Sequence, residues 1–251
     1  MVDFRPFRGI RYDLAVAGDM ADLVCPPYDV ISPDQERALL KRSPSNMVRL
    51  ELAELPGAPP AGRYEGAARA FATFQESGVL RRDLQPTYYV LRQRFAGAAG
   101  PMERVGLLGA LRLEAFGTSV LPHEDTRTGP KEDRFALMEA TEANFSPPMM
   151  LYRDPSGRVA GAIEQVMAGR ADADFSVEGG EYTLWSVSDS ETARTVHEAL
   201  ESQAVYVADG HHRYETALAY RDGHEAGAGG DAASRFVMTC LIDFDDPGLR
   251  I

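Results

Sequence analysis

Cysteine is nearly absent from this chain, with two residues in 251, Cys25 and Cys240. They stand far apart and outside any CxxC spacing, which argues against a disulfide framework or a thiolate zinc site and favours a reducing, cytoplasmic compartment. No apolar run approaches the roughly 20 residues that span a bilayer. The N-terminal "MVDFRPFRGIRYD" also lacks the uninterrupted apolar core of a secretory signal. Cations are in deficit, with 26 Lys and Arg against 38 Asp and Glu and a formal net charge of -12. General affinity for nucleic-acid backbones, which depends on clustered Lys and Arg, is therefore not expected, and neither is a membrane partner. The P-loop, GxGxxG and GxSxG signatures are missing too, so any nucleotide chemistry must use a different cradle.

What is present fits a globular protein, since 44% hydrophobic and 25% charged residues can bury one large core or two small ones. The chain opens its regular structure with "ADLVCPPYDVISPDQERALLKR", where a short apolar run breaks at Pro26-Pro27. Ser32, Pro33 and Gln35 then form a capping-box signature for a helix from about Pro33 to Arg42. "MVRLEL" reads as a strand and "PGAPPAG" as a loop. Ala68, Phe71, Ala72 and Phe74 predict a helix from about Tyr64 to Ser77, stopped by Gly78. "TYYVLRQRF" and "RVGLLGALRLEAF", joined by the glycine-rich loop "AGAAGPME", predict an antiparallel hairpin. A helix begins near Pro130, with Glu132 and Asp133 in its dipole-favoured first turn. Between Leu151 and Trp185 the signals are mixed, a short strand at "MMLYRD" and a helix at "VAGAIEQVMA"; "ARTVHEALES" predicts one more helix. The stretches near Pro56 to Gly62 and Ala226 to Gly230 are the best linkers, and "RFVMTCLIDFDDPGLRI" reads as a core strand whose abrupt end predicts a truncated chain. The fold class implied is mixed α/β (α+β), a mixed sheet with flanking helices.

Three motifs carry chemistry. "VYVADGHHRYETALAYRDG" joins a short valine-rich run, read as a buried strand, to a helix marked by Tyr214, Ala217, Leu218 and Arg221. Its polar cluster therefore falls on a strand-to-helix turn. Gly210 can take a positive φ and let a ligand approach, and the first turn of the helix offers N–H groups to an anion, phosphate above all. Arg213 can bind phosphate through two hydrogen bonds, and Asp209 can hold a metal or cap the helix. Asp-Gly alone is an ordinary turn; His211-His212-Arg213 at the same turn is what raises its interest. The second motif, "LPHEDTRTGPKEDR", packs His123, Glu124, Asp125, Arg127, Lys131 and Arg134 into a loop and helix entry suited to a phosphorylated or zwitterionic ligand. It is not a zinc-protease helix, because Arg127 stands where the second histidine is needed. The third is "CPPYDVIS", where Asp29, held by two prolines and an adjacent strand, sits as a turn residue or a general base.

Taken in order, "VCPPYDVIS", "HEDTRTGPKEDR", "ADGHHRYETAL" and "DDPGLRI" resemble the bacterial family known as domain of unknown function 1015 over nearly the whole chain. That resemblance implies further residues past "DDPGL". "DGHHR" is also similar to the phosphate-binding turn of the ParB/sulfiredoxin superfamily, and most closely to that of the archaeal free-serine kinases. The resemblance implies one catalytic region with an inserted hairpin and helical segment from about residue 80 to about residue 200. Gly210, His211, His212 and Arg213 would cradle the phosphates of ATP or ADP. Asp209 and His212 would assist the phosphoryl transfer with Mg2+, Asp29 would act as base, and His123, Glu124, Arg127 and Lys131 would hold the substrate. Sulfinic acid reduction does not fit, since His211 holds the place of the nucleophilic cysteine; chromosome partition does not fit an acidic chain without a basic helix-turn-helix module.

The reading this favours is a kinase acting on free L-serine, dominated by positioning and charge neutralisation. A nucleotide-binding switch or weak NTPase is the alternative. A metal-dependent hydrolase built on His123, Glu124, His211 and His212, or an interaction module with a vestigial site, would give other behaviour on chelation or on Arg213→Ala.

Overall fold

The structure is a computed structural model describing residues 1–52, 62–98, 100–123, 129–177, 179–224 and 232–249, with the backbone alone at 129–131. In chain order the elements begin with β1 (Phe4–Arg5), β2 (Ile10–Tyr12), α1 (Leu14–Ala17), α2 (Met20–Leu23), α3 (Pro33–Arg42), α4 (Val48–Glu51), α5 (Arg63–Glu76) and β3 (Leu80–Arg82). The middle of the chain gives β4 (Tyr88–Gly97), β5 (Gly100–Arg112), β6 (Val120–Leu121), α6 (Gly129–Thr141), β7 (Met149–Tyr152) and α7 (Arg158–Met167). Then follow β8 (Ala173–Val177), β9 (Gly180–Val187), α8 (Ser190–Leu200), β10 (Val205–Asp209), α9 (His211–His224) and β11 (Phe236–Asp243). The class is α+β. Among the described residues no helix is long and apolar enough to cross a membrane.

The chain divides into two compact units, the first made of Met1–Arg8, Leu84–Lys131 and Pro147–Ile251, the second of Gly9–Asp83 and Glu132–Ser146. In the first, eight strands run in the order β6-β10-β7-β11-β5-β4-β9-β8, with β1 paired to β5 beyond the end of β4. The sheet is mixed: β6 and β10 are parallel, as are β7 and β11, while the other neighbours run antiparallel. The predicted hairpin forms as β4 and β5, but pairing continues to Gly97 and Gly100, so most of the expected glycine-rich loop is strand. Asp189 caps α8 by accepting from Thr192 N at 2.7 Å, and α7 and α8 pack on each other through buried faces that include Val159, Ile163, Val196 and Leu200.

β5 needs glycine at one point of close approach. A Cβ at Gly109 would clash with Cζ, Cε1 and Cε2 of the Phe4 ring, and that ring cannot easily give, being 1% exposed and stacked on Tyr88 with centroids 5.4 Å apart. Tyr88 in turn donates to the Phe4 carbonyl at 2.8 Å. Gly109→Ala is therefore expected to cost about 1–3 kcal/mol through overpacking, read as a lower midpoint in urea unfolding; an unchanged midpoint would show that β1 is free to move aside.

The second unit is mainly helical, with β2 and β3 as a two-stranded ribbon. Leu50, Phe74 and Leu80 form its core together with Ile10, Tyr12, Phe71 and Phe145. α3 has the predicted limits and the predicted capping box, Gln35 N to Ser32 Oγ and Ser32 N to Gln35 Oε1. α5 ends at Glu76, with Gly78 beyond it at φ +76°.

Three expectations are corrected here. "MVRLEL" forms the short helix α4: Asn46 donates to the carbonyls of Asp22 (2.7 Å) and Val24 (3.1 Å) and accepts from Val48 N (3.0 Å), which bends the chain into a helical turn. The apolar run before Pro26 is α2, capped by Asp19, so Asp29 follows a helix and not a strand. β10 is not buried on both faces, since Val205 and Val207 are covered and Tyr206 is 38% exposed. The linker candidates fall outside the described residues except Gly62, which caps α5.

Candidate functional site

β10 enters α9 through Gly210, which takes φ +87°, a conformation that L side chains seldom adopt. Space is short as well as φ unusual: a Cβ at Gly210 would come within 2.8 Å of Arg213 Nε and 2.9 Å of its Cζ. The guanidinium thus lies across the glycine. Arg213 Nη1 donates to the Pro147 carbonyl at 2.6 Å and Nη2 pairs with Asp209. The Arg213 side chain is 15% exposed and that of Asp209 62%, so the turn holds its positive charge under cover and leaves the acid in water. The first bond of the helical ladder is Tyr214 N to Gly210 O, 3.0 Å. The N–H groups of His211, His212 and Arg213 precede that ladder and lie at the positive end of a 14-residue helix. An anion fits such an end.

A histidine from the second motif meets this turn. β6 runs beside β10, and two residues past its end His123 Nδ1 lies 2.6 Å from the Val207 carbonyl. A carbonyl oxygen only accepts, so Nδ1 carries the proton and, in neutral His123, Nε2 is the open acceptor. The His123 N–H donates to His211 Nε2 at 3.3 Å, and the two rings stand edge to face, 4.6 Å apart. His211 is 2% exposed and works as a support, whereas His212 is half-buried with a covered Nδ1 that has no hydrogen-bond partner among the described residues.

α9 is held by a group that its sequence period marked only as core. The Tyr214 hydroxyl donates to Glu114 O (2.8 Å) and accepts from Glu114 N (3.0 Å), while its ring stacks on Phe116. Burial pushes the phenol up to about 12, which keeps the proton that this double bond requires. Arg221 adds a bond from Nη1 to the Leu113 carbonyl at 2.8 Å. The helix is thereby fixed in its first turn and toward its far end.

Other residues expected at the site lie elsewhere or outside the description. Glu124, Asp125 and Arg127 fall outside the described residues, and of Lys131 only the backbone, in the first turn of α6, is described. Asp29 belongs to the second unit, exposed on a 3-10 turn spanning Tyr28–Val30. Among the described residues no group of three or more His, Cys, Asp or Glu side chains is arranged to hold a metal ion.

The family model described as "Protein of unknown function (DUF1015)" matches residues 4–251. The chain belongs to the DUF1015 family. No curated protein and no solved structure matches it. In this DUF1015 chain the second motif is divided between the units. His123 joins the turn of α9, while Asp133 and Arg134, at the other end of the same motif, enter the core of the second unit against Glu51. The fourth motif of the DUF1015 chain, "DDPGL", packs on β5: Asp246 accepts from Val105 N (2.9 Å) and Gly248 N (2.7 Å).

Proposed function

We propose that this chain is a small-molecule kinase that moves a phosphoryl group from ATP or ADP to the hydroxyl of free L-serine. The observation that carries the reading is the Asp209-to-Arg213 turn: a glycine at φ +87°, a covered arginine and three first-turn N–H groups at the carboxyl end of a strand. Phosphate oxygens match those donors in charge and in geometry. The resemblance to archaeal free-serine kinases supplies the acceptor.

In the reaction the serine hydroxyl oxygen forms a bond to the terminal phosphorus as the bond to the bridging oxygen breaks, and the leaving nucleotide takes up the negative charge. The chain's part is to hold the terminal phosphate at the start of α9 and to manage the hydroxyl proton, for which Asp209 and His212 are the groups at the turn. Mg2+ bound with the nucleotide would supply charge neutralisation at the phosphates, and Asp209 is the carboxylate at this turn that would hold it, one or two protein carboxylates being enough for such an ion.

The test is mass-spectrometric detection of phosphoserine after incubation with Mg2+, L-serine and either ATP or ADP. Product with one donor is the expected result. Nucleotide binding with slow hydrolysis that L-serine does not alter would overturn the kinase reading in favour of a nucleotide switch.

A further inference from the structure

β5 carries an arginine that the turn does not use. The pleat places Arg104, Gly106 and Leu108 on one face of the sheet. Register then carries that face across the strands, Leu108 opposite Cys240 and Cys240 opposite Met149; Met149 pairs with Asp209 at a shift of register between Val207 and Asp209. Gly106 leaves room there for the Cys240 thiol. Arg104 reaches along this face, its Nη1 3.9 Å from the thioether of Met149, the residue paired with Asp209. Arg104 and the phosphate turn therefore meet on either side of Met149 within one unit.

The guanidinium is held in place but not neutralised. Nη2 donates to Gln93 Oε1 at 2.6 Å, Gln93 Nε2 donates to the Tyr182 hydroxyl at 3.0 Å, and Tyr182 stacks on Phe175. The Phe95 ring lies 5.7 Å from Arg104 Cζ. Below its side chain, Gly248 of the "DDPGL" motif sits so close to the Glu103 carbonyl and Arg104 Cβ that no Cβ would fit. Other arginines of this unit are matched with acids: Arg92 and Arg94 with Glu103, Arg112 with Asp3, Arg213 with Asp209. Arg104 makes no ion pair among the described residues, and a thioether is a weak acceptor. A half-buried guanidinium is costly without an anion, and its planar fork fits a carboxylate through two parallel bonds.

We propose that Arg104 binds the carboxylate of the small acceptor, with Gln93 and Tyr182 setting the orientation of the fork. This rests on the kinase reading for the identity of the acceptor, L-serine, and it places the acceptor's carboxylate and the phosphates at separate cations beside β7. Gln93 is a positioning residue acting through Arg104.

The experiment measures equilibrium binding by calorimetry, with Mg2+ and a non-hydrolysable ATP analogue present, for L-serine and for L-serinamide, which lacks the carboxylate. Wild-type chain, Arg104→Gln and Arg104→Lys are compared, with unfolding midpoints recorded to confirm that each variant is folded. L-serine is expected to bind wild type more tightly than serinamide and to lose about 10- to 100-fold in Arg104→Gln, the scale of a charge-assisted pair. Serinamide affinity should not change, and Arg104→Lys should fall between. Equal loss for both ligands, equal binding of both to wild type, or no measurable L-serine binding to wild type would each overturn the proposal. Phosphoserine production is scored separately: binding that depends on Arg104 without product sinks the kinase reading alone, whereas product formed with the same KM in Arg104→Gln sinks the carboxylate site alone.

Discussion

Arg213→Ala is expected to weaken ATP or ADP binding about 10- to 100-fold, equal to about 1.4–2.8 kcal/mol, and to remove phosphoserine formation. Two losses add. The cation nearest the helix start disappears, and with it the attraction for phosphate that a covered guanidinium exerts more strongly than an exposed one. The bond from Nη1 to the Pro147 carbonyl also goes, releasing the segment before β7 from the turn. Asp209 remains in water and can rehydrate, so the variant should fold. Arg213→Lys keeps the charge but cannot bridge Pro147 and Asp209 in the same way, and it should retain part of the affinity with a raised KM. Nucleotide titration of the three proteins decides it. Affinity unchanged in Arg213→Ala would mean that phosphate does not sit at this turn, whatever the reaction.

This turn was legible in the sequence because each of its signals is local: the apolar strand, Gly210, and a helical period that begins at once. α3 was legible for the same reason, its capping box lying within four residues. α4 was not. Val48, Leu50 and Glu51 are all buried, so no polar face betrayed its period, and the bend is imposed by Asn46 reaching back to Asp22 and Val24. The β8–β9 hairpin was hidden by Thr183 and Ser176, polar residues within strands, and by glycines where its turn falls. Contacts distant in sequence were out of reach altogether. Nothing local says that His123 will bond Val207, that Arg134 will meet Glu51, or that Arg104 will reach Met149, the partner of Asp209; strand order and register decide the first and the third, and helix packing within the second unit decides the second.

Arg134→Leu is expected to have the largest effect on stability, a loss of about 3–5 kcal/mol, because it leaves a buried carboxylate without its cation. Arg134 is 8% exposed and the Glu51 side chain 5%; Nη1 meets Glu51 Oε2 at 3.1 Å and Nη2 meets the Glu51 carbonyl at 2.9 Å. The loss should be smaller when Glu51→Met is added, since an apolar pair needs no compensation, and that recovery in a double-mutant cycle separates charge burial from lost packing. Acid reads the same network from another side. Burial works to raise the Asp133 carboxyl, but the guanidinium of Arg134, the Tyr64 hydroxyl and Arg63 outweigh it and hold it below the usual carboxylate range. A carboxyl depressed by folding contributes stability that is fully present above its unfolded value and is lost as pH falls through the folded one. Urea midpoints of wild type should therefore drop as pH falls below about 4, and in Arg134→Leu that drop should be shallower. The same substitution removes the cation 4.0 Å from the centre of the Tyr28 ring, so part of the loss is that contact, and the part that Glu51→Met does not restore measures it.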